Sequence, residues 1–179
     1  MFEMKNIKDY IRTIENFPQT GVMFRDVTTL LSDPTGLRLT IDQLVQLNTS
    51  RKIDKVIGIE ARGFILAGAV AYQLSAGFIP IRKKGKLPGS TIHQNYELEY
   101  GESTVEIHTD AIEAGDKLLL IDDLLATGGT VAASVALVER LGGKIVGCSV
   151  VIDLPDLGGK KLIENMGLNV DVLCEFKGV

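Results

Sequence analysis

Three stretches of this chain limit what it can fold into more than any others: "KVIGIE" (Lys55–Glu60), "KLLLID" (Lys117–Asp122) and "KIVGCSVVI" (Lys144–Ile152). Each runs from a lysine into nearly unbroken apolar residues, without the alternation of a half-exposed strand. Runs this short and this apolar are strands covered on both faces, and such strands belong to parallel sheets. Helical patterns stand between them. Asp33-Pro34 starts one, with Leu37, Ile41, Leu44 and Leu47 as its inward stripe. Another runs from about Gly63 to Ser75, and a third from Thr130 to Leu141 with Val131, Val135 and Val138 inward and Gly142 as terminator. "FIPI" and "VDVLCEF" add strands, and "KKLIENMG" adds a short helix. Alternation of this kind predicts an α/β fold: an open, mostly parallel twisted sheet with helices on both faces. At the N-terminus, Ile7, Ile11 and Ile14 recur at helical spacing, with Asn6 as a cap and Pro18 as a stop. "YELEYGESTVEIH" predicts an antiparallel hairpin turning at Gly101.

One domain is expected for 179 residues. The 19 uncharged residues between Arg62 and Arg82 are long enough to raise a membrane span. Gly77 and Pro80 break the run and Gln73 and Ser75 interrupt it, so a buried helix followed by a buried strand is expected instead, and no membrane. A net charge of −4 argues against non-specific nucleic-acid binding. Cys148 and Cys174 lie inside apolar strands and are expected to be buried free thiols in a reducing, cytoplasmic setting; the mixed, charged N-terminus does not resemble a signal peptide.

Ligands of open α/β sheets bind beyond the carboxyl ends of the strands. Those ends here are Glu60, Arg82, Asp122 and Asp153. After "LLLI" come two adjacent carboxylates, Asp122 and Asp123, and then Ala126-Thr127-Gly128-Gly129-Thr130 leading into a helix. A glycine loop entering a helix N-terminus presents unpartnered N–H groups and partial positive charge, which suit a phosphate monoester. A bare Gly-Gly also serves a tight strand-to-helix turn. The acid pair goes further, because like charges side by side serve no structural purpose there. They suit the hydroxyls of a diol, or a hydrated divalent cation. A diol next to a phosphate is a phosphorylated pentose.

"LLLIDDLLATGGT" resembles the 5-phosphoribosyl 1-pyrophosphate (PRPP) signature of the type I phosphoribosyltransferases. "FPQTGVMFRDVTTLL", "GIEARGF" and "RKKGKLPG", in this order over most of the chain, narrow the resemblance to the adenine phosphoribosyltransferase branch. That resemblance implies a single domain over residues 1–179, with a base-binding hood in 1–33 and a mobile flap with its flexible hairpin in 82–107. It implies transfer of phosphoribosyl from PRPP to N9 of adenine, giving AMP and pyrophosphate. Asp122 and Asp123 would hold the ribose hydroxyls and Ala126 to Thr130 the 5′-phosphate. The loop from Glu60 to Gly63 would take pyrophosphate through N–H groups and the forked Arg62 guanidinium. Arg82, Lys83 and Lys86 on the flap would attract the anionic substrate. Arg62 and Lys86 would flank the leaving group, while Glu99 would act as general acid/base near the purine N7, with Tyr100 beside it. Val22, Met23, Phe24 and Arg25 would read adenine, the backbone pairing with its edge and Phe24 packing on the ring. Mg²⁺ would arrive on PRPP or pyrophosphate with few or no protein ligands, and the chain would form a homodimer. His93 and His108 match no role. Two other functions fit less well: a transferase for xanthine or guanine, which commonly has an acid where Ala126 stands, and a PRPP-sensing regulator, which typically carries an additional nucleic-acid-binding domain or basic face.

Overall fold

In the computed structural model, which describes residues 6–97 and 101–178, the apolar runs sit side by side. Nine strands are found among the described residues: β1 (Arg12–Glu15), β2 (Met23–Asp26), β3 (Lys55–Ile59), β4 (Gly77–Lys83), β5 (Thr91–Glu97), β6 (Glu102–His108), β7 (Lys117–Leu125), β8 (Lys144–Asp153) and β9 (Val170–Glu175). Seven form one sheet in the order β5-β6-β4-β3-β7-β8-β9. From β4 to β9 the neighbours are parallel, and β6 and β5 join antiparallel at the β4 edge. The expected α/β architecture is therefore present, and the hairpin extends its sheet. β5 begins at Thr91, inside a segment that the sequence presents only as polar.

Successive residues of the central strands enter different cores. Ile57, Leu118 and Leu120 pack with Val131, Val135 and Val138 of α4 (Gly129–Arg140) on one face. Val56, Leu119 and Ile121 pack on the other with Leu44 of α2 (Pro34–Asn48) and Leu66 and Val70 of α3 (Arg62–Gln73). Period-two geometry puts neighbours on opposite faces, so with helices on both sides every position is buried and none needs to be polar. The uncharged run from 63 to 81 resolves into α3 and most of β4, and among the described residues no helix is long and apolar enough to cross a membrane.

The Asp33 carboxylate caps α2 by accepting the N–H groups of Thr35 and Gly36, with Pro34 in the first turn. Its inward stripe differs from expectation at the end. Leu47 is exposed and Asn48 is fully buried, donating to Leu44 O and Ser149 Oγ at 2.8 and 2.9 Å. Asn48 extends the face set by Leu44 by one full turn, which Leu47 does not.

The N-terminal helix is replaced after one turn. Residues Ile7–Tyr10 form a 3₁₀ turn closed by reciprocal hydrogen bonds of Asn6 and Asp9, and the backbone then extends as β1 against β2. Ile7 and Ile11 are buried, but Ile14 is only half-buried. Pairing with β2 gives the backbone from Arg12 to Glu15 cross-strand partners in place of helical ones. Arg12 also gains the Asp26 carboxylate across the pair. A five-residue helix, α1 (Thr28–Ser32), follows β2, and α5 (Gly159–Asn165) lies before β9. Cys148 is fully buried and Cys174 partly exposed, both as free thiols. Burial raises their pKa values to about 12 and about 11.

Candidate active site

Strand lengths create the site. β3 pairs with β7 only as far as Gly58↔Ile121, whereas β7 continues along β8 to Leu125↔Asp153. The two acids therefore do not end their strand, as the sequence suggests. They lie on an overshoot whose β3-facing side is left free. The loop from Glu60 into α3 fills that side. Gly63 packs so closely there that an added Cβ would stand 2.8 Å from Asp122 Oδ1 and 3.2 Å from Ile121 O. Glu60-Ala61 is a cis peptide.

Arg62 projects from the first residue of α3 to Asp123, Nε to Oδ2 2.5 Å. Asp123 is buried at 5% exposure. The Asp123 N–H donates to Asp122 Oδ1 at 2.9 Å. Burial, then the adjacent Asp123 charge, push the Asp122 carboxyl well above the ordinary carboxylate range. A carboxylate held there gains from hydroxyl donors or a cation.

One cleft gathers Glu60, Ala61, Arg62, Arg82, Lys83, Tyr96, Asp122, Asp123, Leu124 and Thr130 in its walls. The acid pair, the Glu60–Arg62 loop and the start of the basic run meet there, and the glycine loop contributes Thr130 but none of residues 126–129. Lys86 and the segment Val22–Arg25 lie outside those walls. Glu99 and Tyr100 fall outside the described residues.

The glycine loop is shaped by contacts that the motif does not reveal. Gly128 takes φ +85° as the cap residue of α4, a conformation that disfavours side chains. The Gly159 N–H donates to Ala126 O at 3.0 Å, and a Cβ on Gly159 would meet that oxygen at 2.2 Å. The Gly158-Gly159 pair is the one sign of this in the sequence. On the opposite side the hairpin lies over the start of α4, so that a Cβ on Gly129 would come within 3.0 Å of Glu97 O and 3.2 Å of Tyr96 Cδ2. Tyr96 therefore belongs to the site, although nothing in the sequence separates it from any hairpin aromatic.

Glu60 has a side-chain role that the strand-end pattern does not announce. Its carboxylate grips Arg82 through Nε (3.1 Å) and Nη2 (3.2 Å) and accepts the Lys83 N–H (3.1 Å). The Arg82 hydrogen bond outweighs burial and holds Glu60 below the ordinary carboxylate range. In β2, Phe24 meets Phe17 edge to face, centroids 5.2 Å apart. The Arg25 guanidinium is occupied structurally: it donates to Thr13 Oγ1 (2.7 Å) and Gly178 O (3.0 Å) and lies over the Phe176 ring. His108 contacts Pro88 O through Nε2 at 2.8 Å, and His93 faces Glu106 across the hairpin.

Known proteins share this sequence pattern and fold. A family model described as "Phosphoribosyl transferase domain" matches residues 26–169. Adenine phosphoribosyltransferase of Ruegeria pomeroyi is 63% identical over 179 residues, which is all of both proteins. This chain belongs to the adenine phosphoribosyltransferase family. Among solved adenine phosphoribosyltransferase structures, that of Rhodothermus marinus superposes with a TM-score of 0.89 at 48% identity, over 95% of this chain and 96% of that one. The Saccharomyces cerevisiae enzyme, solved with an imino-altritol bisphosphate and adenine, gives 0.86 at 35% identity over 94% and 96% of the two proteins.

Proposed function

We propose that this protein transfers the 5-phosphoribosyl group from PRPP to N9 of adenine, forming AMP and releasing pyrophosphate. The observation that carries this is the meeting of Asp122, Asp123, Arg62 and Thr130 in one cleft. The bond from C1 to the pyrophosphate oxygen breaks, and the bond from C1 to N9 forms through a transition state of oxocarbenium character. Asp122 and Asp123 accept hydrogen bonds from the ribose hydroxyls, Asp123 exchanging part of its Arg62 pairing for them. Ala126 to Thr130 receive the 5′-phosphate on the N–H groups at the start of α4. Arg62 and Lys86 neutralise the departing pyrophosphate, with Arg82 and Lys83 drawing the substrate in. Rigid placement and charge neutralisation supply most of the rate. Glu99, followed by Tyr100 in sequence, serves as general acid/base for the proton near N7 of the purine.

Val22 to Arg25 select adenine. A donor at N6 beside an acceptor at N1 pairs with a backbone carbonyl and a backbone N–H. A 6-oxopurine offers an acceptor where the donor belongs and leaves buried groups unpaired. Ala126 fits the same choice.

Mg²⁺ enters bound to PRPP. Two neighbouring carboxylates, Asp122 and Asp123, line the cleft and are hard oxygen donors that suit a hydrated Mg²⁺ carried by substrate oxygens. Asp122 and Asp123 would face its hydration shell, and the ion would offset phosphate charge. A cytoplasmic homodimer completes the proposal. Exposed Ile65 and Tyr72 on α3 and Phe78 on β4 favour a partner surface, and two free thiols suit a reducing compartment.

Purified protein offered adenine, guanine, hypoxanthine or xanthine with PRPP and Mg²⁺ should make AMP from adenine and little from the others. Turnover of guanine without adenine would overturn the assignment.

A further inference from the structure

The basic turn from Arg82 to Leu87 packs four cations into five residues, and two carboxylates shape it from opposite sides. Glu60 holds Arg82 and the Lys83 N–H, as described above. Glu106, on β6, supports the other side. It is only 5% exposed, and its Oε1 accepts the N–H groups of Lys86 at 3.1 Å and Leu87 at 3.0 Å. Arg82 Nη1 completes the frame by donating to Lys86 O at 2.9 Å. Lys86 is thus held at both its N–H and its carbonyl. Burial alone would raise the Glu106 pKa, but the N–H donors of Leu87, Gly85 and Lys86 outweigh it and the carboxyl stays below its ordinary range.

A buried charge is costly unless hydrogen bonds compensate it. Here the compensation comes from the backbone, so the Glu106 Oε1 acceptor sets the conformation of the turn and the side chain does not cancel one particular cation. Arg82 and His93 flank Glu106 across the sheet, in register with it on β4 and β5.

We infer that Glu106 is a positioning residue for pyrophosphate: it fixes the backbone at Lys86, and through Lys86 it governs how the protein holds the diphosphate of its substrate. This rests on the phosphoribosyl transfer proposed above. A misplacement of about 1 Å in such a group can cost on the order of 10²-fold in rate.

The test combines turnover with direct titration of Mg-pyrophosphate by calorimetry. Glu106→Ala should weaken pyrophosphate affinity and lower kcat/KM for PRPP by roughly 10–100-fold, while KM for adenine stays within about twofold. Glu106→Gln, which keeps an acceptor oxygen, should recover most of the loss. In a Lys86→Ala background either change should add almost nothing, because residues acting as a unit are not additive. Unchanged pyrophosphate affinity in a folded Glu106→Ala protein would overturn the inference, and so would losses that multiply with Lys86→Ala. If the alanine variant does not fold, Glu106→Asp, which draws the acceptor back by one methylene, should show the same loss alone and almost none added in the Lys86→Ala background. Should the unaltered protein make no AMP while Glu106→Ala still weakens pyrophosphate binding, the activity falls and the positioning role stands. Normal turnover with unaffected affinity gives the opposite result.

Discussion

Arg62 Nε and Asp123 Oδ2 are 2.5 Å apart, so the cation proposed for the leaving group and one of the anions proposed for the sugar are direct partners. Arg62 is 43% exposed along its side chain and Asp123 only 7%, which makes the pair asymmetric. Removing Arg62 leaves a buried carboxylate without its partner, whereas removing Asp123 frees a guanidinium that water can reach.

Arg62→Ala should therefore lower kcat/KM for PRPP far more than it changes adenine affinity. The double variant Arg62→Ala, Asp123→Asn should fall short of the product of the two single losses, since contacting residues couple by about 0.5–3 kcal/mol. Steady-state kinetics with each substrate varied in turn checks both points. Unchanged PRPP kinetics in Arg62→Ala would remove this residue from the site.

Asparagine at both Asp122 and Asp123 preserves size and removes the charge. Turnover should drop by at least ~10²-fold, the scale for losing one preorganised electrostatic contact. The variant should nonetheless fold: Asp122 is relieved of a charge that burial and its neighbour disfavour. Circular dichroism would establish the fold and an AMP assay the loss; near-normal rates would refute the sugar-binding role.

Gly159→Ala drives a methyl group to 2.2 Å from Ala126 O, a backbone atom that has no freedom to swing away. Overpacking of this kind costs about 1–3 kcal/mol, so thermal unfolding should shift down by several degrees, and KM for PRPP should rise as the phosphate loop moves. Gly68→Ala is the control. A Cβ there meets nothing within 4 Å on a helix, and the substitution should be neutral or slightly stabilising.

Asp26 gives a pH-dependent prediction. Its carboxylate accepts the Thr28 hydroxyl at 2.6 Å and N–H at 2.9 Å and pairs with Arg12, and these contacts lower its pKa from 3.8 to about 2. A depressed carboxylate pKa contributes stability that is complete above the unfolded value and disappears as pH falls through the folded one. The stability advantage of the native protein over Asp26→Asn should thus be constant above about pH 4 and vanish towards pH 2. At neutral pH it should be on the order of 1–3 kcal/mol, the usual range for hydrogen bonds to a charged group. Denaturant titrations at several pH values would measure it, and an advantage that grew below pH 4 would contradict the assignment.

Much of this molecule is legible in its sequence, because a strand covered on both faces has almost no choice of residue. Lys55–Ile59 and Lys117–Ile121 are recognisable for that reason, and the acids and glycines beside them stand out against the apolar background. The hood is harder. Ile7 and Ile11 fit a helix as well as they fit an extended segment, and the pairing that decides between them comes from β2, more than ten residues later. Glu106 and Tyr96 are invisible for another reason: in a hairpin an acid or an aromatic resembles a surface residue until the covering element is known. The turn at Lys86 and the start of α4 provide those covers, and neither contact is local in sequence.

The step between β3 and β7 makes the reaction centre sensitive to length more than to composition. Volume-conserving exchanges among the apolar residues of either strand leave the ledge standing. Deleting one residue between Leu118 and Ile121 would rotate the following residues by half a period, so that the acid now gripping Arg62 would change sides of the sheet with its neighbour. Both carboxylates would survive in the protein, each aimed where the other is needed.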